Sequence, residues 1–233
     1  MLIFNQGDFS EDDTSLISDW VAHTPQSVVA KNFGVPESAL KNLPTKDLYI
    51  FPADLPPSLA QDKIAVGGAS AESPYQYTFD MLGMTPTKQT KGGEIRVVDS
   101  HTFTAAKYIT GVLATIKPGG LREMHWHPNA SEWQYYISGK ARMTVVLPHG
   151  ARTMDFNAND VGFVPRVMGH YVENIGDTDL QILEMFATGD FQEISINKWI
   201  KRLPPEMTMA HLKLNEADIR TISSNAGAYI LPL

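Results

Sequence analysis

The chain has 233 residues, 43% of them hydrophobic, which is enough to bury the core of one ordinary domain with appendages. Its net charge is −7, with only 19 lysines and arginines, which argues against a nucleic-acid or anionic-membrane surface and favours a small molecule as the partner. The lack of cysteine excludes disulfides and thiolate ligands, so any metal site must consist of histidines and carboxylates.

The first residues predict no targeting segment. Residues 1–8 contain neither a basic leader nor an apolar run of signal-peptide length, and no later stretch approaches the length of a transmembrane helix. We therefore expect a cytoplasmic protein by default.

Two regions without strand character come first. Apolar residues between Leu16 and Lys41 recur at helical spacing, which predicts two or three short helices, with Trp20 interpreted as a core anchor. Residues 44–74 are rich in proline, glycine, serine and alanine. This composition predicts an irregular connector with a short strand near Leu48–Phe51.

After residue 74 the sequence consists of short segments that alternate apolar and polar residues, separated by turn residues such as Pro118-Gly119-Gly120. Close-spaced strands of this kind predict an all-β fold, an antiparallel barrel or jelly roll, with helical extensions at both ends. From Ile196 onward the tail is again helical, with Trp199 as its core anchor. The predicted strands are Tyr75–Leu82, Glu94–Asp99, Ala106–Ile116, Met124–His127, Trp133–Ile137, Ala141–Leu147, Thr153–Phe156, Val161–Val164, His170–Asn174 and Leu180–Phe186.

An internal similarity suggests how the chain is organised. Phe4-Asn5-Gln6-Gly7-Asp8-Phe9 reappears as Phe186-Ala187-Thr188-Gly189-Asp190-Phe191, and a tryptophan and a proline follow each copy, three residues sooner in the second. Chance recurrence is one explanation. The other is that each copy is the last strand and trailing helices of a barrel. We then expect residues 1–45 to resemble the end of a preceding barrel, 46–190 to form a barrel, and 191–233 to form a helical tail.

Four residues predict a metal site. His125 and His127 are two apart, so on a strand they share a face, while Pro128 ends the strand and a turn returns the chain at Glu132. His170 begins another predicted strand. Three imidazoles and one carboxylate suit a divalent transition ion, and on a six-coordinate ion they leave two positions for a small dicarboxylate or dioxygen. The donor set does not choose among several such ions.

The spacing of these residues resembles both halves of the cupin signature. Gly119 precedes His125 by six positions, Glu132 follows His127 by five, and Gly139 follows Glu132 by seven. The second block, Pro165–Asn174, contains His170. It departs from the family pattern at Asn159 and Val167, where glycine is usual, which leaves local loop shape in doubt but not metal binding.

A closer resemblance is to the second barrel of two-cupin oxalate decarboxylases, through Arg122–Pro128, Glu132–Met143 and Met168–Gly176. That resemblance implies a manganese enzyme that splits oxalate into formate and carbon dioxide with dioxygen as co-catalyst. It also implies a homo-oligomer, a trimer or a hexamer. Two alternatives remain, an oxalate oxidase with the same ligands, and a manganese-binding cupin with a structural or storage role and little turnover.

Two residues near the ligands are catalytic candidates. Strand alternation puts Arg122 on the face opposite His125 unless the strand bends at Gly119-Gly120, but the resemblance implies an arginine beside the metal as the substrate clamp. Glu184 lies in the apolar run Leu180–Phe186. It either faces outward or, as the family pattern implies, is an acid near the metal whose pKa is raised by burial.

Glu11 is the third catalytic candidate. Ser10–Thr14 is by itself a polar loop before a helix, yet it resembles the decarboxylase lid, whose glutamate is the proton donor. In the family this lid belongs to the site of the first barrel. The other histidines are interpreted as surface or structural residues, namely His23, His101, His149 and His211.

Overall fold

The computed structural model describes residues 16–44, 52–65, 76–224 and 226–232. The chain divides into two compact units, Met1–Glu72 and Ser73–Leu233. The predicted strand near Leu48–Phe51 lies outside the described residues, and so does the segment of Glu11.

The described residues of the first unit form helices. It contains α1 (Ile17–Ala22), α2 (Gln26–Phe33), a 3-10 turn (Glu37–Leu40) and α3 (Leu59–Ala65). Helix α2 follows Pro25 and ends at Gly34, whose φ of 68° suits a glycine C-cap. The first two helices confirm the prediction made from periodicity.

Helix α3 contradicts the prediction of an irregular connector over residues 44–74. Ser58 and Gln61 explain the helix, because the Gln61 side chain accepts a hydrogen bond from the Ser58 amide at 3.0 Å while the Ser58 hydroxyl accepts one from the Gln61 amide at 3.4 Å. This reciprocal pair is a capping box. The prolines at 56 and 57 masked that signal in the composition.

The second unit is built from strands. Its described residues form twelve strands and three helices, which confirms the prediction of a strand-dominated fold with short helices. The strands are β1 (Lys88–Thr90), β2 (Gly93–Val98), β3 (Thr110–Ile116), β4 (Leu121–Trp126), β5 (Glu132–Ser138), β6 (Lys140–Leu147), β7 (Gly150–Asn157), β8 (Val161–Val164), β9 (His170–Asn174), β10 (Leu180–Phe186), β11 (Ile194–Ser195) and β12 (Ile230–Leu231). The helices are α4 (Ile196–Ile200), α5 (Pro205–Leu212) and α6 (Glu216–Ser224).

Two antiparallel sheets enclose the core of this unit. One has the order β1-β2-β3-β10-β5-β8, and the other has the order β11-β4-β9-β6-β7 with β12 added on β4. Inward residues of both sheets, such as Ile95, Val112, Met143 and Val172, form one buried apolar cluster. This arrangement is the predicted antiparallel jelly-roll barrel.

The predicted strand Tyr75–Leu82 is wrong. Its described part, residues 76–82, is irregular and ends in a turn in which the Asp80 side chain accepts a hydrogen bond from the Gly83 amide at 2.9 Å. An aspartate that bonds the backbone of a turn competes with strand pairing. Alternation alone therefore overstated the strand content before Lys88.

The tryptophans of the helical regions are exposed, contrary to their interpretation as core anchors. Trp20 is 74% exposed and Trp199 is 52% exposed. Each lies on an apolar groove between two short helices of its own unit. Every helix in the described part of the chain is too short or too polar to cross a lipid bilayer.

Candidate metal centre

Four side chains from three strands converge inside the barrel. His125 is on β4 and pairs in register with His170, the first residue of β9, while His127 follows the end of β4 and Glu132 begins β5. One potential ligand atom from each of the four lies within 4.8 Å of all the others, and all four residues are buried. The structure therefore brings together the four residues that the sequence predicts as ligands.

Backbone carbonyls fix the orientation of all three imidazoles. The Nδ1 atoms of His125, His127 and His170 lie 2.6, 2.8 and 3.0 Å from carbonyl oxygens. A carbonyl only accepts, so each Nδ1 carries a hydrogen and each ring presents its Nε2 to the other ligands. Those carbonyls belong to Glu123, Gln192 and Met168.

Glu132 completes the donor set. Its Oε2 lies 2.9 Å from His170 Nε2 and 3.1 Å from His127 Nε2. Its other oxygen, Oε1, accepts a hydrogen bond of 2.6 Å from Gln134 Nε2, and the Tyr136 hydroxyl donates one of 2.7 Å to Gln134 Oε1. This buried relay, which sequence reasoning missed, holds the carboxylate toward the imidazoles.

The pKa directions follow from burial and from Glu132. Burial, helped by the charge of Arg122, lowers the pKa of His125 well below its ordinary range, which keeps the ring neutral. Burial also lowers the pKa of His127, but the hydrogen bond and charge of Glu132 outweigh it and raise the net pKa. Burial raises the pKa of Glu132, yet His170 and His127 together hold it well below its ordinary range. The site therefore contains an ionised carboxylate.

These residues fit a divalent transition ion. His125 Nε2 is buried and has no hydrogen-bond partner among the residues that the structure describes, as expected for an atom reserved for another ligand. Three imidazole nitrogens and one carboxylate oxygen are donors suited to such an ion.

Arg122 lies in the same interior. The pairing of β4 with β9 shifts register between Arg122 and His125, and this irregularity turns both side chains inward although they are three residues apart. The bend anticipated at Gly119-Gly120 therefore occurs further along the strand. The Arg122 side chain is fully buried and forms an ion pair with Glu193, and its Nε lies 3.6 Å from Glu184.

Glu184 points into the barrel, so the outward-facing alternative is wrong. It lies on β10, opposite Gln134 of β5, and is fully buried. Burial, reinforced by the charge of Glu132, raises the pKa of Glu184 to about 8. Burial therefore favours the protonated form of this carboxyl group in the metal-free chain.

Strand β12 and the residue before it support Arg122 from the other side. The Tyr229 carbonyl accepts hydrogen bonds from the Glu123 amide at 2.9 Å and from Arg122 Nη1 at 3.4 Å. The Tyr229 ring lies over the guanidinium, with its centroid 5.5 Å from Cζ. Tyr229 has a φ of 61°, a left-handed conformation that turns its carbonyl toward the arginine.

Glu193 is the contact that sequence reasoning missed. Its side chain is 1% exposed, and its Oε2 lies 3.9 Å from His125 Nε2 as well as beside Arg122. The internal similarity contained the signal, because the register that aligns Phe4 with Phe186 aligns Glu11 with Glu193. No structural position is described for Glu11.

The two departures from the cupin signature occupy strained turns. Asn159 has a φ of 74° and Val167 a φ of 72°, so both adopt the left-handed conformation that glycine tolerates. The Val167 amide donates a 3.0 Å hydrogen bond to the His127 carbonyl, which ties this turn to a predicted ligand. Both positions therefore adopt a conformation that glycine would adopt without strain.

The remaining histidines are exposed, as predicted. One of them, His101, belongs to a second, largely exposed group with Asp99 and Asp190 whose atoms lie within 4.8 Å of one another. That group is separate from the buried centre.

Comparison with known proteins gives one consistent picture. Residues 80–220 match the family model described as "Cupin". The chain is 48% identical over 217 residues to oxalate decarboxylase OxdC of Bacillus subtilis, covering 93% of this chain and 56% of that protein. It is 37% identical over 219 residues to a probable oxalate decarboxylase of Arthroderma benhamiae, covering 92% and 53% of the two chains.

Solved structures agree with the sequence relatives. A structure of B. subtilis oxalate decarboxylase at pH 4.6 superposes with a TM-score of 0.88 at 45% identity, covering 97% of this chain and 58% of that one. Another, from work on the Mn(II) centres of the same enzyme, gives a TM-score of 0.87 at 45% identity over 97% and 59% of the two chains. The chain thus spans about half the length of the curated relatives that it matches.

Proposed function

This chain belongs to the cupin family, and on that premise we propose that its buried centre binds Mn²⁺ and converts oxalate to formate and carbon dioxide. One observation carries the proposal. A buried arginine, Arg122, lies beside the four-residue ligand group, and a guanidinium next to a cation is the environment that a small dicarboxylate requires. The relatives named oxalate decarboxylases favour this substrate over other dicarboxylates.

We propose His125, His127, Glu132 and His170 as the manganese ligands. Manganese bound there would supply Lewis-acid and one-electron redox chemistry, with dioxygen as co-catalyst. The protein's own residues supply the rest. Arg122 pairs with a substrate carboxylate and orients it, and the burial of the ligands excludes bulk water.

When the C–C bond of oxalate breaks and carbon dioxide leaves, the remaining carboxylate carbon must gain a proton to become formate. Burial favours the protonated form of Glu184, which lies 3.6 Å from Arg122 Nε, so it is the proposed donor within the described residues. We also propose Glu11 as a second donor, because Ser10–Thr14 resembles the decarboxylase lid, which belongs to the site of the first barrel in that family. The same resemblance leads us to propose residues 1–45 as the end of a preceding cupin, 46–190 as the barrel and 191–233 as a helical tail, of which the described strands β11 and β12 pair with β4 of the barrel.

A manganese-binding cupin with little turnover is the second candidate, and one contact favours it. Glu193 already occupies the guanidinium that a substrate would use. Oxalate oxidase, the third candidate, shares the ligands and differs in its product.

Products distinguish the three. The chain is loaded with Mn²⁺ and given oxalate in air, and formate, hydrogen peroxide and residual oxalate are measured. We expect formate in excess over peroxide. Mostly peroxide would indicate the oxidase, and stoichiometric manganese with no oxalate consumed would indicate the storage role.

Arg122→Lys is expected to lower oxalate consumption at least about tenfold, because the ammonium group of lysine cannot form the bidentate pair that a guanidinium forms with a carboxylate. Arg142→Lys, at an exposed ion pair on β6, is the matched control.

We also propose that the chain assembles with itself, as a trimer or hexamer, through its two helical hairpins. The groove of α1 and α2 and the groove of α4 and α5 are lined by corresponding residues. Ile17 and Ile196, Trp20 and Trp199, and Phe33 and Leu212 are each 179 positions apart. A chain with two equivalent apolar grooves can pair hairpin with hairpin between copies and close a ring.

Light scattering tests the assembly. Trp199→Glu puts a charge in the second groove and is expected to lower the molar mass in solution toward 25.8 kDa, the mass of one chain. Val146→Glu, at an exposed apolar position of β6, is the control that should leave the mass unchanged.

A further inference from the structure

The carboxylate of Glu193 occupies the position at Arg122 where a substrate carboxylate would pair. We propose that Glu193 is a built-in plug, an internal carboxylate that competes with small carboxylate ligands for Arg122 and weakens their binding. This inference rests on the proposed function for the identity of the ligand and concerns how that same site is regulated.

The contacts of Glu193 are those of an internal ligand. Its Oε2 forms an ion pair with Arg122 Nη2 and lies 3.9 Å from His125 Nε2. Both side chains of the ion pair are almost fully buried, at 0% and 1% exposure. The other oxygen, Oε1, has no hydrogen-bond partner within the described ranges. One oxygen therefore hydrogen-bonds Arg122, whereas the other is buried without a hydrogen bond among the described residues.

The loop that carries Glu193 is fastened on both sides. The Ser100 amide and hydroxyl donate to the Gly189 carbonyl at 2.9 and 2.6 Å, and Asn129 Nδ2 donates to the Asp190 carbonyl at 2.7 Å. His127 Nδ1 donates to the Gln192 carbonyl at 2.8 Å, and β11 pairs with β4 directly after Glu193. The backbone therefore holds the carboxylate toward the arginine.

The sequence shows that this loop is also short. Glu193 precedes Trp199 by six positions, whereas Glu11 precedes Trp20 by nine. Three fewer residues leave less chain that could open, which favours a Glu193 held inside the site.

The cost to a ligand follows from competition. An entering carboxylate must displace Glu193 from its charge-assisted hydrogen bond with Arg122. It must also bind beside the negative charge of the displaced Glu193. If the open form of Arg122 is a tenth of the population, the apparent Kd is about tenfold above the intrinsic one. Removal of the Glu193 charge relieves both effects.

Calorimetry on the Mn²⁺-loaded full chain tests the plug, with oxalate and acetate as probes and the metal content measured before and after each titration. Glu193→Ala is expected to bind both probes about tenfold more tightly than the unmodified chain. Glu193→Gln, which keeps the shape and loses the charge, should fall between them. Asp190→Asn removes an exposed negative charge from the same loop and should bind like the unmodified chain.

The results separate the two proposals. Equal or weaker binding by both Glu193 variants, with metal retained, overturns the plug and leaves the proposed function standing. If no metal-loaded variant binds oxalate, the proposed function fails and the plug fails with it. Equal tightening by Asp190→Asn would also overturn the plug, because the effect would then reflect net charge alone.

Discussion

Gln134 donates a 2.6 Å hydrogen bond to the Oε1 of Glu132, so the orientation of a proposed ligand depends on a neighbouring amide. That amide is itself oriented by the hydroxyl of Tyr136. Tyr136→Phe removes the hydroxyl and leaves the buried Gln134 oxygen unpaired. Loss of such support around a ligand typically weakens metal affinity 10- to 100-fold.

We therefore expect Tyr136→Phe to raise the Kd for Mn²⁺ about tenfold in a chelator competition assay. Tyr135→Phe, which removes an exposed hydroxyl from the next residue, is the control and should leave the Kd unchanged. An unaltered Kd in Tyr136→Phe would show that Glu132 is oriented by other contacts.

His127→Ala is expected to abolish metal binding without unfolding the barrel. The ring packs beside Phe186 and Phe191, at centroid distances of 4.5 and 5.5 Å, so its removal leaves a cavity but not an unpaired charge. Metal content by elemental analysis and the circular dichroism spectrum check the two halves of the prediction. His149→Ala, at an exposed turn, is the control. Full metal occupancy in His127→Ala would contradict the ligand assignment.

The raised pKa of Glu184 predicts a pH effect on the stability of the metal-free protein. The folded chain holds a proton up to pH about 8 that the unfolded chain releases near its ordinary pKa of 4.5. Between these two values the folded state binds the extra proton, so the contribution of Glu184 to stability falls as pH rises. It is largest below the unfolded pKa and is lost as pH passes through the folded pKa.

Glu184→Gln removes this dependence. Relative to the unmodified chain, the variant should gain stability as pH rises from 5 to 8, by at most about 1.4 kcal/mol per pH unit. Urea unfolding at several pH values measures the difference between the two chains. A difference that does not change with pH would mean that Glu184 is ionised in the folded state.

Val167→Gly is expected to stabilise the protein. Valine in a left-handed conformation is strained by about 1–2 kcal/mol, and glycine removes the strain while losing somewhat more entropy on folding. The midpoint of thermal unfolding should rise by a few degrees. Asn159→Gly should change it less, since asparagine tolerates that conformation and its side chain accepts a hydrogen bond from Tyr135. A lower midpoint for Val167→Gly would show that the valine side chain contributes more than its strain costs.

The barrel was predictable because the information is local. Strands such as Val161–Val164 and Leu180–Phe186 have the bounds that alternation predicts, and the spacing of His125, His127 and Glu132 fixes a shared face once the turn at Pro128 is recognised. Those features depend on neighbours along the chain.

The surroundings of Arg122 could not be predicted in the same way. Its inward orientation depends on a register shift between β4 and β9, and its contacts come from Glu193 and Tyr229, which are 71 and 107 positions away. Neither pairing leaves a pattern in a single sequence. Only the repeat that aligns Glu11 with Glu193 hinted at one of them.

The tautomers of the three histidines are set by main-chain carbonyls, and this has a consequence for sequence divergence. Residues 123, 168 and 192 present the same carbonyl oxygen whatever side chain they carry. A substitution that keeps the backbone path keeps these carbonyls in place, so the hydrogen stays on Nδ1 of each ring. Side chains at these positions are therefore constrained by their other contacts, such as the hydrogen bond that Glu123 accepts from the Tyr229 amide, whereas the relay on Glu132 directly constrains the side chains of Gln134 and Tyr136.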